Sequence, residues 1–288
     1  MSIVFENVKD LDLKETLDCG QCFRWKEHED GSFFGVVRGR AARAYMDGDS
    51  LILDGADEAD REMWFDYFDL GLDYGAVREQ LSRVHPVMAE AARFAPGIRI
   101  LRQEPFEALI SFIISQNNNI KRISGIVERL CEGFGEPIRM GEACSSRTEA
   151  CPDISGEDVY YRFPTAKRLS ALTPDDLAPI RAGFRHRYII DGAQKVCGSE
   201  IDLEALRDMP YDDAKRELMK ITGVGVKVAD CTLLYGLHRL DGFPLDVWMK
   251  RAMAVLFDDM DPSEFGEYAG IAQQYIFHYS RMNPGLFE

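Results

Sequence analysis

The hydrophobic pattern changes its period once along the chain. Up to about residue 55, short alternating runs, as in FRWKEHEDGSFFGVVRGRAARAYMDGDSLILDG, are broken by Asp-Gly and Gly-Asp pairs. Alternation with turn-forming punctuation predicts a small antiparallel sheet. From about residue 58, the segments REMWFDYFDL, YGAVREQLSRV, HPVMAEAARFA, PFEALISFIISQ, IKRISGIVERLCEGF and PYDDAKRELMKI carry apolar residues at spacings of three and four. That spacing predicts amphipathic helices. Pro86, Pro105, Pro164, Pro174, Pro210, Pro244 and Pro262 fall near the expected helix starts or the loops before them, where a missing N–H costs nothing. The stretch from about residue 136 to 164 is polar and aperiodic and reads as a surface insertion. The expected architecture is α+β, mostly α. Residues 1–100 form an N-terminal antiparallel β-sheet domain with flanking helices, and residues 101–288 form a helical part.

Composition narrows the class. With 288 residues, 46% hydrophobic and 29% charged, the chain is long and apolar enough for a packed core around a recessed site. No window approaches the ~18 uncharged residues of a membrane span, and the N-terminus lacks a basic segment followed by an apolar run. The seven cysteines are scattered, unlike a secreted disulfide framework. A soluble monomer in a reducing cytoplasm is expected, at the nucleoid if the cell is prokaryotic; a nuclear setting stays open, although no basic targeting cluster occurs. The net charge of −15 argues against non-specific coating of nucleic acid. Arg181, Arg185, Arg187 and Lys195 nevertheless form a local basic stretch, so any polyanion must be bound locally.

The chemistry concentrates at Leu218 to Cys231, LMKITGVGVKVADC. A helix ends near Ile221, Gly223 and Gly225 flank Val224, and a second helix begins at once with Lys227 in its first turn. Glycines let the backbone turn sharply and approach a ligand, and the free N–H groups at a helix start favour an anion such as phosphate. Asp246 follows Pro244-Leu245 and precedes the helical run VWMKRAMAVLF, a natural helix N-cap position. Cys231, four residues after Lys227, shares its helical face.

These residues resemble the helix-hairpin-helix DNA glycosylases, here spanning about 210–236. In that superfamily the hairpin (Gly223, Val224, Gly225 and Lys227) grips the DNA backbone, commonly with a monovalent cation held by the hairpin backbone, here 221–226. The resemblance implies that Lys227 attacks C1′ of the sugar to give an imine, which requires an unprotonated amine. It also implies that Asp246 stabilises the charge that builds on the deoxyribose. No cysteine follows Cys231, so the four-cysteine iron–sulfur ligand set of the endonuclease III and adenine glycosylase relatives is missing. Lys227 separates the chain from the alkylpurine branch, which lacks this nucleophile. No cofactor is expected.

Further segments are similar to the 8-oxoguanine DNA glycosylase family. DCGQCFRW resembles its GQxFRW element, in which Gly20 offers a carbonyl to N7–H of the lesion. Unmodified guanine carries a lone pair there, so a fixed carbonyl discriminates against it. Cys19 and Cys22 form CxxC without a second pair, which argues against zinc. SQNNNIKRI resembles the motif in which Asn117 fills the space left by the extruded base and Arg122 contacts the widowed cytosine; a plain loop or N-cap is the competing account. In AGFRHRY, Phe184 is the expected wedge and Arg185 a second cytosine contact, against a core Phe with a surface Arg. In AQQYIFHY, the C-terminal pocket helix, Gln273 is implied to read the Watson–Crick edge and Phe277 to stack opposite Cys231. RQEPFEALISFIIS reads as core. Trp248 stands where eukaryotic members carry a phosphate-contacting histidine; an indole brings one donor and no charge.

The resemblance implies a bifunctional glycosylase and AP lyase that extrudes and excises 8-oxoguanine from double-stranded DNA, preferably opposite cytosine. A glycosylase for another damaged base, or a non-catalytic helix-hairpin-helix DNA-binding protein, are the alternatives.

Overall fold

The structure is a computed structural model and describes residues 2–140 and 159–287. Strands β1 (Ser2–Phe5), β2 (Trp25–Glu27), β3 (Phe33–Val37), β4 (Arg40–Asp47) and β5 (Ser50–Asp54) form one antiparallel sheet in the order β1-β5-β4-β3-β2. Alternation does what the pattern demands: Ile3, Phe5, Leu51 and Leu53 are buried on the core-facing side. Gly48 and Asp49 make the two-residue turn between β4 and β5, with Gly48 at φ 57°. Helices α1 (Leu13–Leu17) and α2 (Arg61–Tyr67) supply Leu13, Leu17, Trp64 and Tyr67 to the core beneath the sheet.

A second, larger core is helical. Around it lie α3 (Tyr74–Ser82), α4 (Pro86–Phe94), α5 (Pro105–Ser115), α6 (Ile120–Phe134), α7 (Ala166–Ser170), α8 (His186–Cys197), α9 (Tyr211–Leu218), α10 (Val226–Leu237), α11 (Val247–Leu256) and α12 (Ala269–Met282). The two cores do not divide at residue 100. Tyr74, Val77, Leu81, Met88 and Ala91 of α3 and α4 belong to the helical core, where α4 packs on α12. Periodicity tells which face of a helix is apolar, not which partner covers it. At the expected insertion, β6 (Pro137–Arg139) pairs antiparallel with β7 (Val159–Tyr161), so the two ends close on each other. The body of that insertion, with Cys144 and Cys151, lies outside the described residues.

The cores are joined by the segment that carries Gly20. The fully buried Gln21 donates from its amide to the carbonyls of Thr16 (2.8 Å) and Arg99 (2.7 Å) and accepts from the Leu101 N–H (2.9 Å). Gln103 donates to the Gln21 carbonyl at 2.7 Å, and Gln274 of α12 donates to the Cys19 carbonyl at 3.2 Å. A buried amide with every group bonded holds its backbone in one place. Among the described residues, no helix is long and apolar enough to cross a membrane.

Candidate active site

The hairpin is built on two different glycines. Gly223 sits at φ 81°, and a Cβ there would stand 2.3 Å from the Tyr188 ring, so both conformation and packing exclude a side chain. Gly225 is extended, caps α10, and would meet nothing within 4 Å if it carried a Cβ. Neither strain nor packing explains that glycine; open space at a helix start leaves room for a ligand to approach the backbone. Asp191 accepts the Thr222 N–H (2.7 Å), and the buried Asp230 ties α10 to α9 through Lys215 (2.8 Å) and the Tyr211 hydroxyl (2.9 Å). Gly223→Ala is therefore expected to cost about 2–3 kcal/mol, a fall in Tm of roughly 5–10 °C. Gly225→Ala should melt like wild type while losing about tenfold in affinity for duplex DNA. Thermal denaturation and fluorescence anisotropy separate the two, and equal melting points would contradict this division.

Lys227 and Asp246 line the same cavity. Its volume is about 490 Å³, and its wall also includes Gly20, Phe23, Phe112, Ser115, Asn118, Asn119, Ile120, Lys121, Ile123, Phe277 and Arg281. Lys227, in the first turn of α10, donates from Nζ to the Ser115 hydroxyl at 3.2 Å and lies 5.1 Å from the centre of the Phe112 ring. Asp246 N-caps α11, its Oδ1 accepting the Met249 N–H at 2.8 Å. One oxygen is thus spent on the cap, and the carboxylate is held in the cavity wall by the helix it starts. The cavity brings together three cationic side chains, Lys121, Lys227 and Arg281, against one carboxylate. On a chain of charge −15 this is the local positive field that a polyanion needs.

Gly20 lies at φ 92°, and a Cβ would come within 3.0 Å of Ile120 Cδ1 and 3.7 Å of Phe277 Cε1. Phe277 shares the wall with it. Cys231 and Gln273 do not line the cavity; both are buried. Burial pushes the Cys231 thiol up to about 11 while Lys227 pulls the other way, so the thiol is protonated near neutral pH. Gln273 accepts the Tyr235 hydroxyl at 3.1 Å, which orients its amide. Gly20→Ala is expected to push its methyl towards Ile120 and Phe277, lowering turnover on an oxidised purine at least about tenfold with a smaller effect on overall DNA affinity. Unchanged single-turnover rates would contradict a role for this close contact.

The asparagine run forms the turn between α5 and α6. Asn119 N-caps α6 through the Arg122 N–H (3.0 Å), and Asn118 bonds the Ile114 carbonyl (3.2 Å). Asn117 is exposed, in the left-handed region at φ 46°. Arg122 is exposed beside it. The AGFRHRY segment inverts the plain expectation of a core Phe with a surface Arg. Phe184 is 50% exposed, whereas Arg185 is 4% exposed. The Arg185 guanidinium donates to the carbonyls of Gln116 (3.0 Å), Ala182 (3.0 Å) and Asn117 (3.2 Å) and lies 4.5 Å from the Phe184 ring centre. In this state Arg185 props the asparagine turn and supports the exposed ring.

Sequence reasoning missed several members of the site. Phe112 and Ser115, read as core, contact the Lys227 amine; α5 is buried along most of its length and only its last turn opens on the cavity. Tyr235 and Gln274 orient the recognition segments from behind, and Arg281 lines the mouth. Trp248 spends its one donor on the Ser280 hydroxyl at 2.9 Å. No cluster of three or more His, Cys, Asp or Glu able to hold a metal occurs among the described residues.

Two family models match the chain one after the other. Residues 3–109 match the 8-oxoguanine DNA glycosylase N-terminal domain, and residues 110–263 match the HhH-GPD superfamily of base excision DNA repair proteins. The N-glycosylase/DNA lyase of Saccharomyces cerevisiae is 40% identical over 173 residues, 56% of this chain and 42% of its own length. The chain thus spans less than half of that relative. The solved structure of MBOgg1 in complex with a low affinity DNA ligand is 41% identical, with a TM-score of 0.88 over 98% of this chain and 96% of that one. The Clostridium acetobutylicum 8-oxoguanine glycosylase/lyase, solved with double-stranded DNA containing cytosine opposite 8-oxoG, is 34% identical with a TM-score of 0.87, again over 98% and 96%. Sheet, hairpin and cavity, with likeness along nearly the whole length of two solved relatives, mean that the chain belongs to the 8-oxoguanine DNA glycosylase family within the HhH-GPD base-excision repair superfamily.

Proposed function

We propose that this chain excises 8-oxoguanine from double-stranded DNA and then cleaves the strand through a lysine imine. The observation that carries this reading is the single cavity lined by the Lys227 amine, the Asp246 carboxylate and the close-packed Gly20–Phe277 wall. The extruded nucleotide enters with C1′ towards Lys227. As the N-glycosidic bond breaks, its electron pair leaves with the base, which takes up a proton, and Asp246 offsets the positive charge on the sugar. The Lys227 nitrogen bonds to C1′ and loses its protons as the ring opens to the imine. Loss of a C2′ proton then expels the 3′ phosphate by β-elimination, and water hydrolyses the imine to free the lysine. The chain contributes the amine and the carboxylate; water supplies the rest.

Gly20, Gln273, Phe277 and Cys231 recognise the base in this reading, and Asn117 and Phe184 fill the vacated stack. Exposed Arg122 reads the opposite cytosine directly. Arg185 acts on that base only if DNA draws it from the carbonyls it now bonds; otherwise it serves by shaping the turn. Incubation with duplexes carrying 8-oxoguanine opposite each of the four bases, scored with and without alkali, tests the whole. Excision fastest opposite cytosine, with nicking before alkali, is expected. No release of 8-oxoguanine overturns the reading, and equal rates opposite all four bases remove the cytosine preference alone.

A further inference from the structure

Among the described residues, buried guanidinium nitrogens are bonded, with one exception. Arg99 donates to the carbonyls of Asp10, Asp69 and Lys9, and Arg185 to those of Gln116, Ala182 and Asn117. Arg281 is the one arginine among the described residues with a nitrogen, Nη1, that is shielded from solvent and has no acceptor. Its side chain has no ion pair or hydrogen bond among the described residues, and it forms part of the cavity wall with Gly20, Phe277, Lys227 and Asp246. A shielded donor on a charged group is costly to leave unpaired, so an acceptor supplied by a ligand would gain that cost back.

The position along α12 indicates which acceptor. Gln273, Phe277 and Arg281 follow one another at four-residue steps along one stripe of the helix, so Gln273 and Arg281 are about 12 Å apart along its axis at about 1.5 Å per residue. Burial falls in the same direction, from Gln273 at 5% exposed to Met282 at 54%. A base whose edge meets Gln273 at the buried end therefore leaves its sugar and phosphates towards Arg281. Trp248 on the neighbouring helix has no donor to offer, since its Nε1–H is bonded to Ser280. We infer that Arg281 is a phosphate-binding residue of the catalytic cavity, gripping a phosphate that flanks the extruded nucleotide through its otherwise unbonded guanidinium edge. This rests on the reading of the cavity as a site for an extruded nucleotide.

The test uses the full chain and 8-oxoguanine duplexes in which the phosphate on the 5′ or the 3′ side of the lesion is replaced by a neutral methylphosphonate. In wild type, one of the two replacements should raise the half-saturating enzyme concentration about tenfold. Arg281→Gln on the native duplex should raise it by about as much, and the two changes together no further. The slope of log affinity against log salt should fall by about 0.9 for Arg281→Gln and recover in Arg281→Lys. A merely structural role would leave the losses multiplicative and the slope unchanged, and either result overturns the inference. So does a wild type indifferent to both methylphosphonates, a measurement independent of how any variant folds. Failure of wild type to excise 8-oxoguanine from the native duplex strikes the functional reading instead and takes the inference with it.

Discussion

Lys227→Gln should abolish borohydride trapping on 8-oxoguanine duplexes and lower excision by three orders of magnitude or so, as expected when a nucleophile is removed from a set that acts as a unit. Borohydride reduces an imine, so only an amine that has bonded to C1′ gives a covalent product. Glutamine has no such amine, but it keeps the polar end that can meet the Ser115 hydroxyl, which lies 3.2 Å from Nζ in wild type. The neighbouring groups cannot substitute. Ser115 is a hydroxyl, and Cys231, pushed up to about 11 by burial, is a protonated thiol that cannot form an imine. Lys121 is the other amine in the wall of the cavity. Persistent trapping by Lys227→Gln would overturn the assignment of the nucleophile, and its disappearance in Lys227→Gln/Lys121→Gln would transfer the role to Lys121. DNA affinity should fall only severalfold, because the hairpin amides, Gly225, Lys121 and Arg281 remain.

The parts of this protein that were legible in its sequence are those where one local constraint determines the outcome. Period-two alternation against a core placed Ile3, Phe5, Leu51 and Leu53 on one face of the sheet, and the glycine pair before Lys227 marked the turn into α10. The two glycines looked alike in the sequence. Only the fold separates Gly223, pressed on Tyr188 at positive φ, from Gly225, which faces open space. Side chains whose surroundings come from distant segments were harder to read. Phe184 is exposed, but Arg185, implied to contact the opposite cytosine, is buried because the carbonyls that attract its guanidinium belong to a turn almost seventy residues earlier. Ser115 and Phe112 were concealed inside a largely apolar run, since a helix buried on nearly every side carries no mark at the one turn that faces a cavity. Arg281 left no signal as a single basic residue near the end of α12. That its Nη1 meets no acceptor among the described residues is a property of the packed structure alone.

Asp246→Asn isolates charge from capping. Asparagine is about as good an N-cap as aspartate, so the bond to the Met249 N–H, 2.8 Å in wild type, has a replacement acceptor and α11 keeps its start. The melting temperature should stay within a few degrees of wild type, whereas Asp246→Ala should lose about 1 kcal/mol with the cap. Excision behaves differently. The carboxylate lines a cavity whose wall includes Phe23, Phe112, Ile120 and Phe277, and once an extruded nucleotide fills that cavity a fixed charge acts on the developing sugar cation with less screening than in bulk water. Its removal should lower the single-turnover rate by on the order of 10²–10³ in both variants. Binding of the lesion duplex should be retained or strengthened, because a negative group near a polyanion has been removed. Two variants equally slow in chemistry but unequal in stability are the expected pattern. If Asp246→Asn turned over near the wild-type rate while Asp246→Ala did not, the side chain would matter as the first residue of a helix, and the charge on the sugar would need another partner.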